Sequence, residues 1–420
     1  MDFIDNLRWR GILCDVTPGA EQLLQSGDMV TGYIGFDPSA DSLGVGNLAQ
    51  VMVLRHFQEA GHRPLVLIGG ATGRVGDPSG KKDQRRRLTA DEVKHNAERI
   101  KSQLSKFLRA DGDNAVMFVD NSDWFNDIKF VDFADEIGQH FTVKNMLSKE
   151  SVKGRMDNGM SFTEFCYQLM QGFDFLALWR NGVKVQLGGS DQWGNMTAGV
   201  ELIRKKEGGE AHAITTRLVT KTDGTKFGKS EAGNVWLDPV KTSPFKFFQF
   251  WLNLSDEDAL KMIRVFSTRG RDTIIQLAEA HQEKPNARIL QNALAEEVTA
   301  MVHSDEVLAR VKEMSATLFN QAGGLSELSS ADLIGAFDSD VTFVIPKSKL
   351  SDGIVALIGE HTAIQPSKGE ARKVLLNNGI TINDIKMSID SDLPEPLCGN
   401  LFVIRRGKKN HFLVKVDDNG

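Results

Sequence analysis

Cysteine is scarce in this 420-residue chain, and what there is has no framework. Cys14, Cys166 and Cys398 are odd in number, far apart and match no metal-ligand spacing, so packing thiols are expected rather than disulfides or metal ligands. Long apolar runs are also missing: none approaches the roughly 20 residues that span a bilayer. The N-terminus, Met1-Asp2-Phe3-Ile4-Asp5-Asn6, opens on acids rather than a basic targeting region, and a cytoplasmic protein is expected. Excess positive charge is lacking too. A net charge of −6 argues against a protein that coats nucleic acid indiscriminately, because such binding rests on many phosphate contacts. Basic residues do cluster locally, at Lys81, Lys82, Arg85, Arg86 and Arg87 and again at Arg405, Arg406, Lys408 and Lys409. No internal repeat or low-complexity tract is present. The 41% hydrophobic and 25% charged residues describe an ordinary globular protein, and the length calls for two or three domains.

Residues 30 to 68 read as strand, turn, helix and strand, the unit of a parallel sheet. Tyr33 to Phe36 is the first strand. A helix from about Asn47 buries Leu48, Val51, Met52, Leu54 and Phe57, stops at Gly61 and leads to the strand Pro64 to Ile68. Thr89 with Glu92 makes a capping box for a helix through Phe107, and Ser161 with Glu164 another for a helix toward Trp179. A strand at Val183 to Leu187 then runs into Gly188-Gly189-Ser190. These elements predict an α/β, doubly wound, Rossmann-like domain over residues 1–222 with an inserted helical segment. A loop and an α-helical domain follow over 223–320. Residues 321–342 read as a linker, and 343–420 as a small α+β domain with a third capping box at Ser367 and Glu370.

Four segments carry chemistry. Val219-Thr220-Lys221-Thr222-Asp223-Gly224-Thr225-Lys226-Phe227-Gly228-Lys229-Ser230 places three lysines and two glycines after a strand, and lysines are compact mobile charges suited to triphosphate oxygens. The turns Tyr33 to Leu48 and Gln186 to Asn195 are glycine-rich and lead from strand to helix, where a nucleotide can approach the backbone and phosphate meets the positive helix end. Asp191 at the second turn suits a ribose hydroxyl. Finally, Tyr167, Gln171 and Asp174 interrupt an apolar helix at i, i+4 and i+7, which puts them on one face. A solvent-facing stripe is the ordinary reading. The phenylalanines Phe162, Phe165, Phe173 and Phe175 on the remaining surface turn the expectation toward an internal polar pocket.

These segments, with Gly69-Gly70-Ala71-Thr72-Gly73, Gly76-Asp77-Pro78-Ser79-Gly80-Lys81 and Ser161 to Phe165, resemble the bacterial tyrosyl-tRNA synthetases in the same order over essentially the whole chain. Lys226-Phe227-Gly228-Lys229-Ser230 matches the class I signature loop. Ser367 to Arg372 with Arg405-Arg406-Gly407-Lys408-Lys409 resembles the S4-like RNA-binding domain that ends those enzymes. The resemblance implies that Tyr33 and Asp174 bond the substrate phenol, that Asp77, Tyr167 and Gln171 hold the ammonium group, and that Asp37, Gln186 and Gln192 line the carboxyl and ribose side. It places Asp191 on the ribose, Gly35, Ser39, Gly46, Asn47 and Gly189 near ATP, and Lys81, Arg85, Lys226, Phe227, Lys229 and Ser230 around the phosphates. It implies ATP with Mg2+, L-tyrosine and tRNA(Tyr) as partners, a homodimer, no metal held tightly by the protein, and tRNA contacts from Lys368, Arg372, Lys373, Arg405, Arg406, Lys408 and Lys409.

The family's other signature, His-x-Gly-His or His-x-Gly-Asn, stands here as Gly44-Val45-Gly46-Asn47. Asn47 fits, whereas Gly44 lacks an imidazole that the family uses on the triphosphate. Losing one such donor costs about 10² to 10³ in rate, so a slow activation step is expected. Two alternatives follow. A tryptophanyl relative is disfavoured by Tyr33 and Asp174, because an indole offers one donor and no hydroxyl. An RNA-binding paralogue with weak or lost chemistry is suggested by Gly44.

Overall fold

The computed structural model describes residues 2–79, 86–149, 152, 159–230, 233–319, 324–407 and 410–417. Two compact units divide the chain: residues 1–241 with 252–302, and residues 242–251 with 303–420. The helical segment after the signature loop thus contributes to both.

The first unit is organised on a six-stranded sheet. Its strands are β1 (Leu13–Val16), β2 (Thr31–Phe36), β3 (Arg63–Ile68), β4 (Met117–Asp120), β5 (Val185–Gly189) and β6 (His212–Thr216), in the spatial order β1-β6-β5-β2-β3-β4. All neighbours are parallel except β1, which pairs antiparallel with β6 at the edge. The expected doubly wound sheet is therefore present, with β1 and β4 as strands the sequence did not announce. From β2 the chain winds outward through β3 and β4 on one side, and β5 and β6 occupy the other. The two directions part between β2 and β5, and an open parallel sheet has its crevice at the carboxyl ends there.

Local chemistry sets the helices that flank this point. Val45–Glu59 starts two residues earlier than its apolar pattern suggested, because Gly44 in extended conformation acts as N-cap and donates its N–H to Asn47 Oδ1 at 3.1 Å. Thr89 and Glu92 exchange both bonds of their box at the start of Ala90–Leu104, and Ser161 and Glu164 do the same for Phe162–Arg180. That 19-residue helix lays Phe175, Leu176 and Leu178 into a core with Tyr33, Leu65, Leu67, Leu202 and Ile203. The polar stripe is thereby held against the sheet rather than in water. After β6 a short hairpin, β7 (Lys229–Ser230) with β8 (Gly233–Asn234), closes the signature loop.

The second unit holds β9 (Thr342–Pro346), β10 (Ile380–Ile382), β11 (Ile385–Lys386), β12 (Leu401–Arg406) and β13 (Asn410–Asp417) in the order β11-β10-β12-β13-β9. Helix Lys368–Leu376 packs Ala371 and Leu375 on this sheet, in a core with Ile380, Ile382, Phe402, Ile404 and Val414. Residues expected to form a linker include the helix Ser330–Ala336, which has its own capping box between Ser329 and Asp332. No helix among the described residues is long and apolar enough to cross a membrane.

Candidate active site

A cavity of about 260 Å³ opens at the switch point. Tyr33, Gly35 and Asp37 reach it from β2 and the turn beyond, Gly46 and Asn47 from the first turn of the next helix, and Gln171 and Asp174 from Phe162–Arg180. Gln186, Gly189, Asp191 and Gln192 complete it from β5 and the turn that follows. Sheet register explains the first grouping: Tyr33 stands opposite Leu65 on one neighbour and Gln186 on the other.

Tyr33 and Asp174 form the buried end. Tyr33 is 1% exposed, and its hydroxyl has no hydrogen-bond partner among the described residues. Such an orphan costs stability unless a ligand satisfies it. Asp174 is 2% exposed and accepts one bond on each oxygen, from Trp124 Nε1 at 2.9 Å and Asn121 Nδ2 at 3.2 Å. Burial holds its carboxyl well above the ordinary range, partly offset by those two donors, with Asp37 and Asp120 adding repulsion. Burial likewise raises the Tyr33 phenol, with Asp174 as the second cause.

Around the middle of the cavity the acids are wired together. Asn121, fully buried, accepts from the Ala71 N–H at 2.8 Å and donates to Thr72 Oγ1 at 2.9 Å as well as to Asp174. Thr72 in turn donates to Asp37 Oδ1, and Tyr167 donates to Asp37 Oδ2, each at 2.8 Å. Gly69 makes room for this carboxylate, since a Cβ there would fall 2.1 Å from Asp37 Oδ1. Asp77 accepts from Gln192 Nε2 at 2.7 Å, and Asn195 bridges Gln192 and Gln171. Thr72, Asn121, Trp124 and Asn195 had no role in the sequence reading, although Thr72 and Asn195 stood inside its motifs. Burial raises Asp191, Asp77 adds to the shift, and Lys226 opposes it.

The lysine loop is different in kind. Lys226 and Lys229 are exposed, whereas Phe227 between them is buried with its ring 5.7 Å from Phe266. Gly228 lies on the first turn of helix Val45–Glu59. Its φ is +86°, and a Cβ would come 2.9 Å from Gly46 N, so glycine is required twice over. Val235 N–H donates to Gly228 O and Val45 N–H to Val235 O, both at 2.9 Å, sewing the loop across the helix start. A Cβ added at Gly44 would sit 3.3 Å from Val235 O. Ser39 lines an adjoining cavity of about 520 Å³ with Arg74, Arg86 and Asn96. Lys81 and Arg85, like Lys408 and Lys409, lie outside the described residues, and of Ser230 only the backbone is described.

Of the expected RNA contacts, Lys368, Arg372 and Lys373 are exposed on one helix; Lys368 pairs with Glu360 and Lys373 with Glu370. Arg406 donates to Ile364 O at 2.6 Å and lies over the Phe412 ring. Arg405 corrects the expectation. It is 4% exposed, ion-paired with Asp384 at 2.8 Å and bonded to Thr317 O, so it serves the interior of its unit and offers no surface to RNA.

A switch-point cavity lined by Asp37, the buried Asp174 and Asp191, with Lys226 near enough to act on Asp191, fits an enzyme that binds an amino acid beside a nucleotide. In agreement, the chain belongs to the tRNA synthetases class I (W and Y), the family that matches residues 25–320. Residues 336–414 match the tyrosine–tRNA ligase SYY-like C-terminal domain. The chain is 47% identical over 428 residues to a tyrosine–tRNA ligase of Bacteroides fragilis, covering 99% of each, and 47% identical over 433 residues to that of Porphyromonas gingivalis, covering 99% of this chain and 100% of the other. Among solved structures, a C-terminally truncated mitochondrial tyrosyl-tRNA synthetase of Aspergillus nidulans superposes with a TM-score of 0.68 at 29% identity, over 76% of this chain and 94% of the other.

Proposed function

We propose that this chain is a tyrosine–tRNA ligase, which joins L-tyrosine to ATP as tyrosyl-adenylate, releases pyrophosphate, and transfers the tyrosyl group to the 3' end of tRNA(Tyr). The observation that carries the tyrosine assignment is the buried pair at the end of the cavity. Asp174 has both oxygens oriented by donors, and the Tyr33 hydroxyl has no partner among the described residues. A phenol donates to the first and accepts from the second. An indole cannot do both, and phenylalanine leaves the Tyr33 hydroxyl unpaired in a dry site.

The remaining roles follow from charge. The ammonium group sits among Asp77, Tyr167 and Gln171, and Tyr167 keeps a lone pair for it because its proton already serves Asp37. Gln186 and Gln192 flank the carboxylate, which attacks the α-phosphorus of ATP in line with the departing pyrophosphate. Asp191 accepts from the ribose, and Gly35, Gly46, Asn47 and Gly189 border the nucleotide. Magnesium enters with the ATP. Little acid–base work is needed; cations that bind the leaving group more tightly as it separates supply the acceleration, and Lys226 and Lys229 are the proposed donors. The exposed face of helix Lys368–Leu376 is the RNA candidate in the second unit.

A homodimer belongs to this reading. Phe130 (69%), Val131 (73%) and Phe162 (69%) are large apolar side chains exposed on the first unit, and a second copy would cover them. So does a cytoplasmic location, where tRNA is charged. The paralogue alternative is disfavoured by relatives named as ligases over nearly their full length and by an intact set of acids at the cavity. ATP–pyrophosphate exchange tests the proposal. Exchange with tyrosine, and none with tryptophan or phenylalanine, is expected; a blank with all three amino acids would sink it.

A further inference from the structure

The signature loop does not hang freely from β6. Its tip is closed on itself: Thr220 bridges Lys226, Lys221 N–H donates to Thr225 O at 2.8 Å, and Asp223 Oδ1 accepts from the Thr225 N–H and hydroxyl at 2.8 and 2.6 Å. The closed tip then docks on helix Asp256–Phe266 at three points. Lys261 Nζ donates to Thr220 O at 2.6 Å and lies 3.2 Å from Thr220 Oγ1. Asp258 Oδ1 accepts the Thr222 N–H at 2.8 Å. Phe227 packs its ring against Phe266. Asp258 is itself fixed: it is 6% exposed, and its own N–H is capped by Ser255 Oγ at 3.1 Å. Lys261 lies three residues further, on the same side of the helix.

From these contacts we infer that helix Asp256–Phe266 is the docking platform of the lysine loop, and that Asp258 and Lys261 are positioning residues for Lys226 and Lys229. Neither touches the cavity. Each fixes a backbone group of the closed loop, so the lysines search a smaller volume for the phosphates, and less order has to be imposed when the transition state forms. The inference rests on the function proposed above for the catalytic effect, though not for the docking itself.

Two readouts on the full chain test it. In Lys261→Met, which alters an exposed side chain, the turnover of tyrosine-dependent exchange is expected to fall about fivefold, the loss of one modest hydrogen bond, with the KM for tyrosine unchanged. Trypsin without substrates should cut after Lys221, Lys226 or Lys229 faster than in the wild type. Lys261→Arg, which keeps a donor, should recover part of both, and Asp258→Asn, which keeps an acceptor oxygen, should weaken both less than Asp258→Ala. Unchanged exchange and unchanged cleavage in Lys261→Met would overturn the inference. So would a defect seen only in transfer to tRNA, which would assign Lys261, beside Arg217 and Arg264 in the cleft they share, to the RNA instead. If the wild type itself shows no exchange, the proposed function fails, and the cleavage arm still decides the docking.

Discussion

The two ends of the proposed active site are built on opposite plans. At the end proposed for the phenol, Tyr33, Asp174 and Asn121 are each 2% exposed or less, and Asp174 and Asn121 are held in place by bonds to Trp124, Thr72 and each other. At the end proposed for the phosphates the charges sit exposed on a loop docked against helix Asp256–Phe266. The difference teaches a division of labour. Recognition of a neutral hydroxyl needs a dry, preorganised site, where an unpaired polar group is costly. Stabilising a departing pyrophosphate needs charge that strengthens its hold during the reaction and lets go afterwards, which a flexible ammonium does and a buried one cannot.

If that division is right, substitutions at the two ends should fail differently. The largest effect is expected at the phosphate end: Lys229→Ala should lower the rate of adenylate formation by about 10² to 10³, read by pyrophosphate exchange, because it removes a donor to transition-state charge. With Gly44 where the resemblance implies a histidine, only Lys226, Lys81 and Arg85 are proposed to share the load. Next comes Asp174→Asn, expected to raise the KM for tyrosine by about 10²-fold, as truncating one side of a buried charged hydrogen bond does. This variant also has a pH signature. Burial raises the folded-state pKa of Asp174 above its ordinary 3.8, so the folded protein holds that proton more tightly. The resulting stability is fully present below 3.8 and is lost as pH rises through the folded value. Thermal midpoints should therefore fall less between acidic and neutral pH in Asp174→Asn than in the wild type; equal slopes would show that Asp174 is not a burdened carboxylate.

The smallest effect sharpens the phosphate end. Gly44→His should raise exchange about tenfold, less than the full value of one donor, because the new Cβ must displace Val235 O by a few tenths of an ångström. No gain would mean that the loop lysines already saturate the leaving group.

Much of this site was legible in the chain because its signals are local. The i, i+4, i+7 spacing of Tyr167, Gln171 and Asp174 set them on one face, and the phenylalanines on the rest of the helix turned that face inward. The strand-to-helix turn Gln186 to Asn195 placed Asp191 at a strand end. What could not be read depends on contacts between distant segments. Asn121 is an unremarked residue after a strand, and only the fold brings it between Thr72 and Asp174. Arg405 misled for the converse reason. Its strand, Leu401–Arg406, is buried on both faces, so no alternation marked a solvent side, and a run of basic residues read as surface until Asp384 came to lie beside it.

Equilibrium binding of L-tyrosine without ATP, measured calorimetrically on the wild type, Lys229→Ala and Asp174→Asn, tests the separation of the two ends most directly. The account predicts wild-type affinity in Lys229→Ala and a loss of about 10²-fold in Asp174→Asn. Weakened tyrosine binding in Lys229→Ala, or unchanged binding in Asp174→Asn, would contradict it.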